Sequence, residues 1–252
     1  EQQVAELSEK SSAETMKKFN ERPGTVSNQY LHDLYRFFKL SVRRHEFRDI
    51  FKEKLDLHHI PALSNVLYSE DILFPIADFY LKKERWNEAI EVYEEMETIG
   101  ALQGRGAEYY QKLGYALQKN KKYAEAIDAY LKADTLKPDN IWNNRHLAIC
   151  YRLNRNYQAA LSYYKKVEEA TPEDTNVIFH IGSCLAELGQ YEEAANYFFK
   201  LDFIESNCIK AWRGIGWCSF ISRKYEQAMK YYEKIIEQKP LAIDYMNAGH
   251  VA

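Results

Sequence analysis

Apolar residues in this chain fall at helical spacing in short runs, each closed by a polar turn. Between residues 107 and 140, Tyr110, Leu113, Ala116 and Leu117 share one helical face, and after Lys121 and Lys122 a second face follows in Tyr123, Ala126, Ile127, Tyr130 and Ala133. The pattern predicts two short helices joined by a tight turn. Small residues at Gly114 and Ala126 let the two backbones approach closely, with Tyr123 and Tyr130 filling the space beside the contact. Pro138 cannot continue a helix and restricts the residue before it, so it ends the second one. A helix pair of this size cannot bury its own apolar face and must stack on neighbours.

Those neighbours are written in the sequence. Shifting the chain by 34 residues aligns four consecutive units, 107–140, 141–174, 175–208 and 209–242. One column reads Gly114, Ala148, Gly182, Gly216; the columns through Tyr123 (Tyr157, Tyr191, Tyr225) and Ala126 (Ala160, Ala194, Ala228) do not vary. Pro138, Pro172 and Pro240 close three units, and Ser206 takes that place in the other. Residues 70–106 form a further unit through Ala77, Tyr80, Trp86, Ala89, Tyr93 and Met96, with three extra residues expected in the stretch 101–106. Residues 30–69 read as a degenerate pair lacking the small columns, and residues 1–29 as a polar lead-in or capping helix. The last ten residues, 243–252, open another first helix, so both ends of the chain look cut.

The set Tyr110, Leu113, Gly114, Leu117, Tyr123, Ala126, Tyr130, Ala133 and Pro138 resembles the tetratricopeptide repeat family. Later units depart from it mildly, as at Asn144 and Ala148. The resemblance implies an all-α fold, a right-handed superhelical solenoid of antiparallel helix pairs whose first helices line a concave groove. It also implies a non-catalytic scaffold or adaptor that binds protein or peptide segments.

Composition narrows the alternatives. The net charge of -3 and pI near 6.2 argue against bulk binding to nucleic acid, which needs a basic footprint. No apolar run approaches the roughly 20 residues that span a bilayer. Four cysteines without an evident pairing lean toward a reducing, cytoplasmic compartment. Cys150, Cys184 and Cys218 are spaced by 34, so they occupy one site in successive units, about 10 Å apart and too far for a shared zinc or a disulfide. They are expected as buried packing thiols, while Cys208, at a unit boundary, is the better candidate for reactivity.

Other motifs fail on context. His45-Glu46 has Asp49 where a zinc-protease helix needs its second histidine, and Gly214-Ile215-Gly216 lies inside a helix with no strand before it. His58-His59 reads as polar surface. No cofactor, metal or catalytic constellation is expected.

What remains is the groove. Positions two, five, nine and twelve of each first helix share one stripe. In the early units it reads Asp71, Phe74, Asp78, Leu81 and Glu108, Gln111, Tyr115, Gln118. In the later units it carries Trp142, Arg145, Ile149 and Arg152, then Asn176, Phe179, Ser183 and Ala186, then Lys210, Arg213, Trp217 and Phe220, with His146 and His180 flanking. The later half is basic and aromatic, a composition enriched at binding hot spots. The expected partner-binding residues are therefore Trp142, Arg145, Arg152, Phe179, His180, Lys210, Arg213, Trp217 and Phe220. Some members of the resembling family clamp a terminal carboxylate; Arg145, His180 and Lys210 fall at or near such places, but Ile149 and Gly214 stand where polar residues belong. The expectation carried over is a preference for acidic or C-terminal peptide groups. A structural or self-associating arm, built on the unpaired last helix, is the alternative.

Overall fold

The computed structural model describes residues 70–100 and 105–252, with the single positions 33 and 46. The chain divides into two units, Glu1–Ser64 and Asn65–Ala252, and every helix considered below belongs to the second. The lead-in at 1–29, the degenerate pair at 30–69, both histidine motifs there and most of the expected insertion at 101–106 lie outside the described residues.

The described residues form eleven helices and no strand: α1 (Glu70–Lys82), α2 (Trp86–Thr98), α3 (Gly106–Lys119), α4 (Tyr123–Leu136), α5 (Ile141–Leu153), α6 (Tyr157–Ala170), α7 (Thr175–Glu187), α8 (Tyr191–Ile204), α9 (Ile209–Ile221), α10 (Tyr225–Ile236) and α11 (Ala242–Val251). Three residues separate the helices of each pair, which folds them back antiparallel, and each helix packs on the next along the chain. The result is an all-α solenoid.

The turns are made by a local device. The first helix of every pair ends with one residue in the left-handed region, at Glu84, Lys121, Arg155, Gly189 and Arg223, with φ from 57° to 77°. The amide after it reaches back to a carbonyl five residues earlier, as Lys122 N–H donates to Leu117 O at 2.9 Å and Asn156 N–H to Tyr151 O at 2.9 Å. This closure satisfies carbonyls that a helix end would leave bare and turns the chain sharply. Entry to first helices is capped at Asn140, whose side chain accepts from Asn143 N–H, and at Asp174, which accepts from Asn176 and Val177 N–H.

Packing refines the expectation for the small column. The residue that fills the space beside Gly114 is Tyr130, fully buried; Tyr123 is only half-buried at the start of α4. A methyl added at Gly114 would meet the Tyr130 ring at 2.8 Å, and one at Gly182 would meet Phe198 at 2.9 Å. The column Tyr130, Tyr164, Phe198, Tyr232 is buried throughout and lies flat on the backbone of the preceding first helix. Leu113, Leu147, Ile181 and Ile215 are buried alongside, each worth about 2 kcal/mol of apolar burial. Polar side chains add ties to backbone: the Tyr109 hydroxyl donates to Tyr93 O at 2.6 Å, and Asn143 Nδ2 to Tyr130 O at 3.0 Å.

The three repeating cysteines are free and fully buried, and burial pushes the thiols up to about 12 at Cys150 and about 11 at Cys184 and Cys218. Cys208 corrects the expectation of a reactive thiol. It is 5% exposed and packs with Ile178, Leu201 and Ala211, because the repeat places position 208 under the start of α9 rather than in an open turn.

Gly114→Ala should lower stability by about 1 to 2 kcal/mol, since overpacking against a rigid ring outweighs the gain in helix propensity. Gly249→Ala, where an added methyl meets nothing, should raise it by a few tenths up to about 1 kcal/mol. Urea unfolding of both variants beside the parent checks the sign of each.

Candidate functional site

First helices α3, α5, α7, α9 and α11 lie side by side, and where one meets the next a slot recurs. It is bounded by the end of one first helix, the buried ring of the second helix and the middle of the next first helix. Between α3 and α5 the slot holds Gln118, Tyr130 and His146. Gln118 Oε1 accepts from the Tyr130 hydroxyl at 3.0 Å and lies 2.7 Å from His146 Nδ1, so the neutral imidazole completing the pair carries its proton there. The His146 ring stacks on Tyr130 and lies 4.0 Å, centroid to centroid, from the ring of Trp142.

Between α5 and α7 the same places are Arg152, Tyr164 and His180. His180 stacks on Tyr164, and the guanidinium lies beside the tyrosine hydroxyl. An arginine cannot accept a hydrogen bond as Gln118 does, and both Arg152 Nε and His180 Nδ1 are buried without a hydrogen-bond partner.

Between α7 and α9 the three places are Ala186, Phe198 and Gly214. Two long polar side chains are missing, and a cleft of about 590 Å³ opens, lined on its walls by Phe179, Lys210 and Trp217. Between α9 and α11 the places are Phe220, Tyr232 and Ala248, with Phe220 partly buried against the cluster that holds the other two.

A second feature distinguishes the same step. Arg145 on α5 pairs at 2.8 Å with Asp174, the cap of α7. Arg213, the equivalent residue on α9, makes two bonds of 2.8 and 2.7 Å to Asp244, which also accepts from Leu241 N–H at the start of α11. Each arginine ties one first helix to the next. At α7 that position is Phe179, and no acid stands across from it.

The nine expected binding residues thus divide. Phe179, Lys210, Arg213 and Trp217 come together around the cleft. Trp142 stands two slots away, 42% exposed; Trp217 is 44% exposed and 6.2 Å from Phe220. Lys210 is exposed with no acidic partner among the described residues. Arg145 and Arg213 are held by carboxylates, and Arg152 and His180 fill a slot. Sequence reasoning missed Ala186, Phe198 and Gly214. The signal was present at the same lag that exposed the repeat, in the columns Gln118, Arg152, Ala186 and His146, His180, Gly214.

Among the described residues no group of three or more His, Cys, Asp or Glu is arranged to hold a metal ion, and no helix is long and apolar enough to cross a membrane. Family models of the tetratricopeptide repeat match residues 73–103, 107–140, 152–218 and 209–240. Comparison with curated proteins finds no match. Among solved structures the chain is similar to YrrB, described as a TPR protein with an unusual peptide-binding site, at TM-score 0.65 and 20% identity over 75% of this chain and 96% of that one. It is also similar to a tetratricopeptide repeat protein from Parabacteroides merdae at 0.62 and 19%, covering 72% of each chain, and to MamA from Desulfovibrio magneticus at 0.61 and 18%, over 68% of this chain and 97% of that one.

The slots set a pH response. Burial, reinforced by Lys119 and Arg145, pushes the His146 imidazole down to about 4; burial with Arg152 and Lys210 does the same for His180. An unfolded histidine takes its proton near pH 6.5, so the unfolded chain protonates first as pH falls. Stability is full above about 6.5 and declines between there and 4, by roughly 1 to 2 kcal/mol per histidine after allowance for partial exposure. Although burial pushes the Asp174 carboxyl up, Arg145 and the α7 amides prevail, and Arg213 holds Asp244 low; both then lose their contribution as pH falls further. Melting curves from pH 7 to pH 5 should fall for the parent and flatten for the His146→Phe, His180→Phe double variant.

Proposed function

The chain belongs to the tetratricopeptide repeat family, and from that premise we propose that it is a non-catalytic scaffold or adaptor. It holds an extended segment of a partner protein along its row of first helices, between α5 and α9. The observation that carries this reading is the set of unsatisfied surface groups on that row: two tryptophans more than two-fifths exposed, Trp142 on α5 and Trp217 on α9, and the unpaired Lys210 at the start of α9. Exposed indole is costly to leave in water and is the side chain most often found at the centre of binding surfaces. Arg145 and Arg213 contribute by aligning α5 with α7 and α9 with α11 through Asp174 and Asp244. The preference is for acidic or C-terminal groups, since the free charge on this face is Lys210. Buried free thiols suit a reducing compartment, which favours the cytoplasm.

Trp142→Ala, Lys210→Glu, Trp217→Ala changes only exposed side chains and should leave the melting temperature within a few degrees. Affinity capture with the parent and this triple variant, compared by quantitative mass spectrometry, should show proteins retained by the parent and lost at least tenfold from the variant. Equal recovery on both would remove the first-helix row from the account.

A second reading rests on α11. Leu241, at its cap, and Ile243, Tyr245 and Met246 in its first turns are all about half exposed, a run of apolar surface. On this reading the array is a structural arm that self-associates through that helix. Light scattering across a hundredfold range of concentration should then report a dimer that Ile243→Lys, Met246→Lys dissociates; a monomer throughout sinks it.

A further inference from the structure

We propose that the cleft between α7 and α9 is a side-chain pocket for a partner segment that carries a large apolar residue next to an acidic one. The inference rests on the groove reading above and adds the chemistry of the occupant. It starts from the slot series. Where Gln118 and His146 or Arg152 and His180 fill the space over a buried tyrosine, the Phe198 ring lies against the Gly214 backbone and the short Ala186 side chain leaves a cleft beside it. The apolar part of the lining is Phe179, Ala186, Phe198 and Trp217: Phe198 has no hydroxyl where Tyr130 and Tyr164 have one, and the Ser183 hydroxyl donates to Phe179 O at 2.8 Å, while Tyr191, Glu187, Lys210 and Arg213 supply the polar part. The Phe198 ring lies against both flanking backbones, 2.9 Å from where a methyl on Gly182 would sit and 2.5 Å from one on Gly214. A polar group set against the Phe198 ring would find no hydrogen-bond partner on it. An aromatic or branched aliphatic side chain would instead stack between Phe179 and Trp217.

Charge fixes what stands beside it. Arg213 is already bound twice by Asp244, so the cation left to a ligand is Lys210, at the start of α9. Glu187 lies at the opposite end of the cleft, at the close of α7, and repels a second acid there. The acidic group of the partner therefore sits at the Lys210 end.

The test is selection from a random octapeptide display library on the parent protein. Peptides should be enriched in Trp, Phe or Leu with Asp or Glu within three residues. Gly214 is a poor place to block the pocket, since any side chain there collides with Phe198. Ala186→Gln is the better variant, because it restores the residue type of the α3/α5 slot at a half-buried surface position. Binding of the selected peptides should fall at least tenfold in Ala186→Gln with an unchanged melting temperature, and Lys210→Glu should reverse the acidic preference. Peptides lost from the Trp142, Lys210, Trp217 variant but bound equally by parent and Ala186→Gln would overturn the pocket while leaving the groove. No enrichment would overturn both. A dimer of the parent that Ala186→Gln dissociates would assign the cleft to a second copy and overturn the peptide.

Discussion

One contact is repeated through the array and the rest follows from it: the face of a buried aromatic ring on the second helix pressed against the backbone of the first. Tyr130 on Gly114, Phe198 on Gly182 and Tyr232 on Gly216 are the same contact made three times, and Tyr164 on Ala148 is its variant. A ring in direct contact with a helix backbone sets the distance between the two helices to the thickness of the ring. Because that ring also reaches the next first helix, it sets the spacing between pairs as well. Phe198 makes this explicit, with glycine backbone on both sides. Turns and caps then need only deliver each helix to its place, and the left-handed residue that closes the first helix of each pair does so five times, as glutamate, lysine, arginine twice and glycine.

This explains which parts of the molecule could be read from sequence. A contact repeated every 34 residues leaves columns, and the glycine, tyrosine, alanine and proline columns are enough to derive the helix pairs, their boundaries and their stacking. The same arithmetic identified the cysteine ladder as packing, since equivalent positions in parallel helices cannot converge. Cys208 escaped it because its burial depends on Leu201 and Ile178, residues that reach under α9 from other helices and leave no local mark. The stripe of first-helix residues was legible as a stripe. Whether a given arginine on it was free was not, because Asp174 and Asp244 sit 29 and 31 residues further along the chain.

The binding face shows a complementary principle. In a periodic structure, what repeats carries the fold and what breaks the repeat is free to carry function. Four successive slots share one geometry, yet their contents run from glutamine and histidine through arginine and histidine to alanine and glycine, then phenylalanine and alanine. The first is a hydrogen-bonded polar cluster, and the second fills the same space with an arginine and a histidine stacked on the ring. The third is an omission: alanine and glycine replace both fillers, and the ring lies against the Gly214 backbone with a cleft beside it.

That omission coincides with a second one. The junctions on either side are crossed by an arginine and a carboxylate, at α5 to α7 and at α9 to α11, while α7 to α9 has Phe179 and Lys210 at the corresponding places. That junction lacks both the filler and the tie, and is held instead by its ring contact, by the buried cluster of Ile178, Leu201, Cys208 and Ala211, and by Trp212 Nε1–H donating to Asp202 at 2.6 Å. A segment lying over it would supply both missing elements, an apolar group for the slot and an acid for the lysine. Recognition at that junction would amount to completing the pattern that its neighbours complete internally, which is why the residues that define it are small ones and why no single side chain announces it.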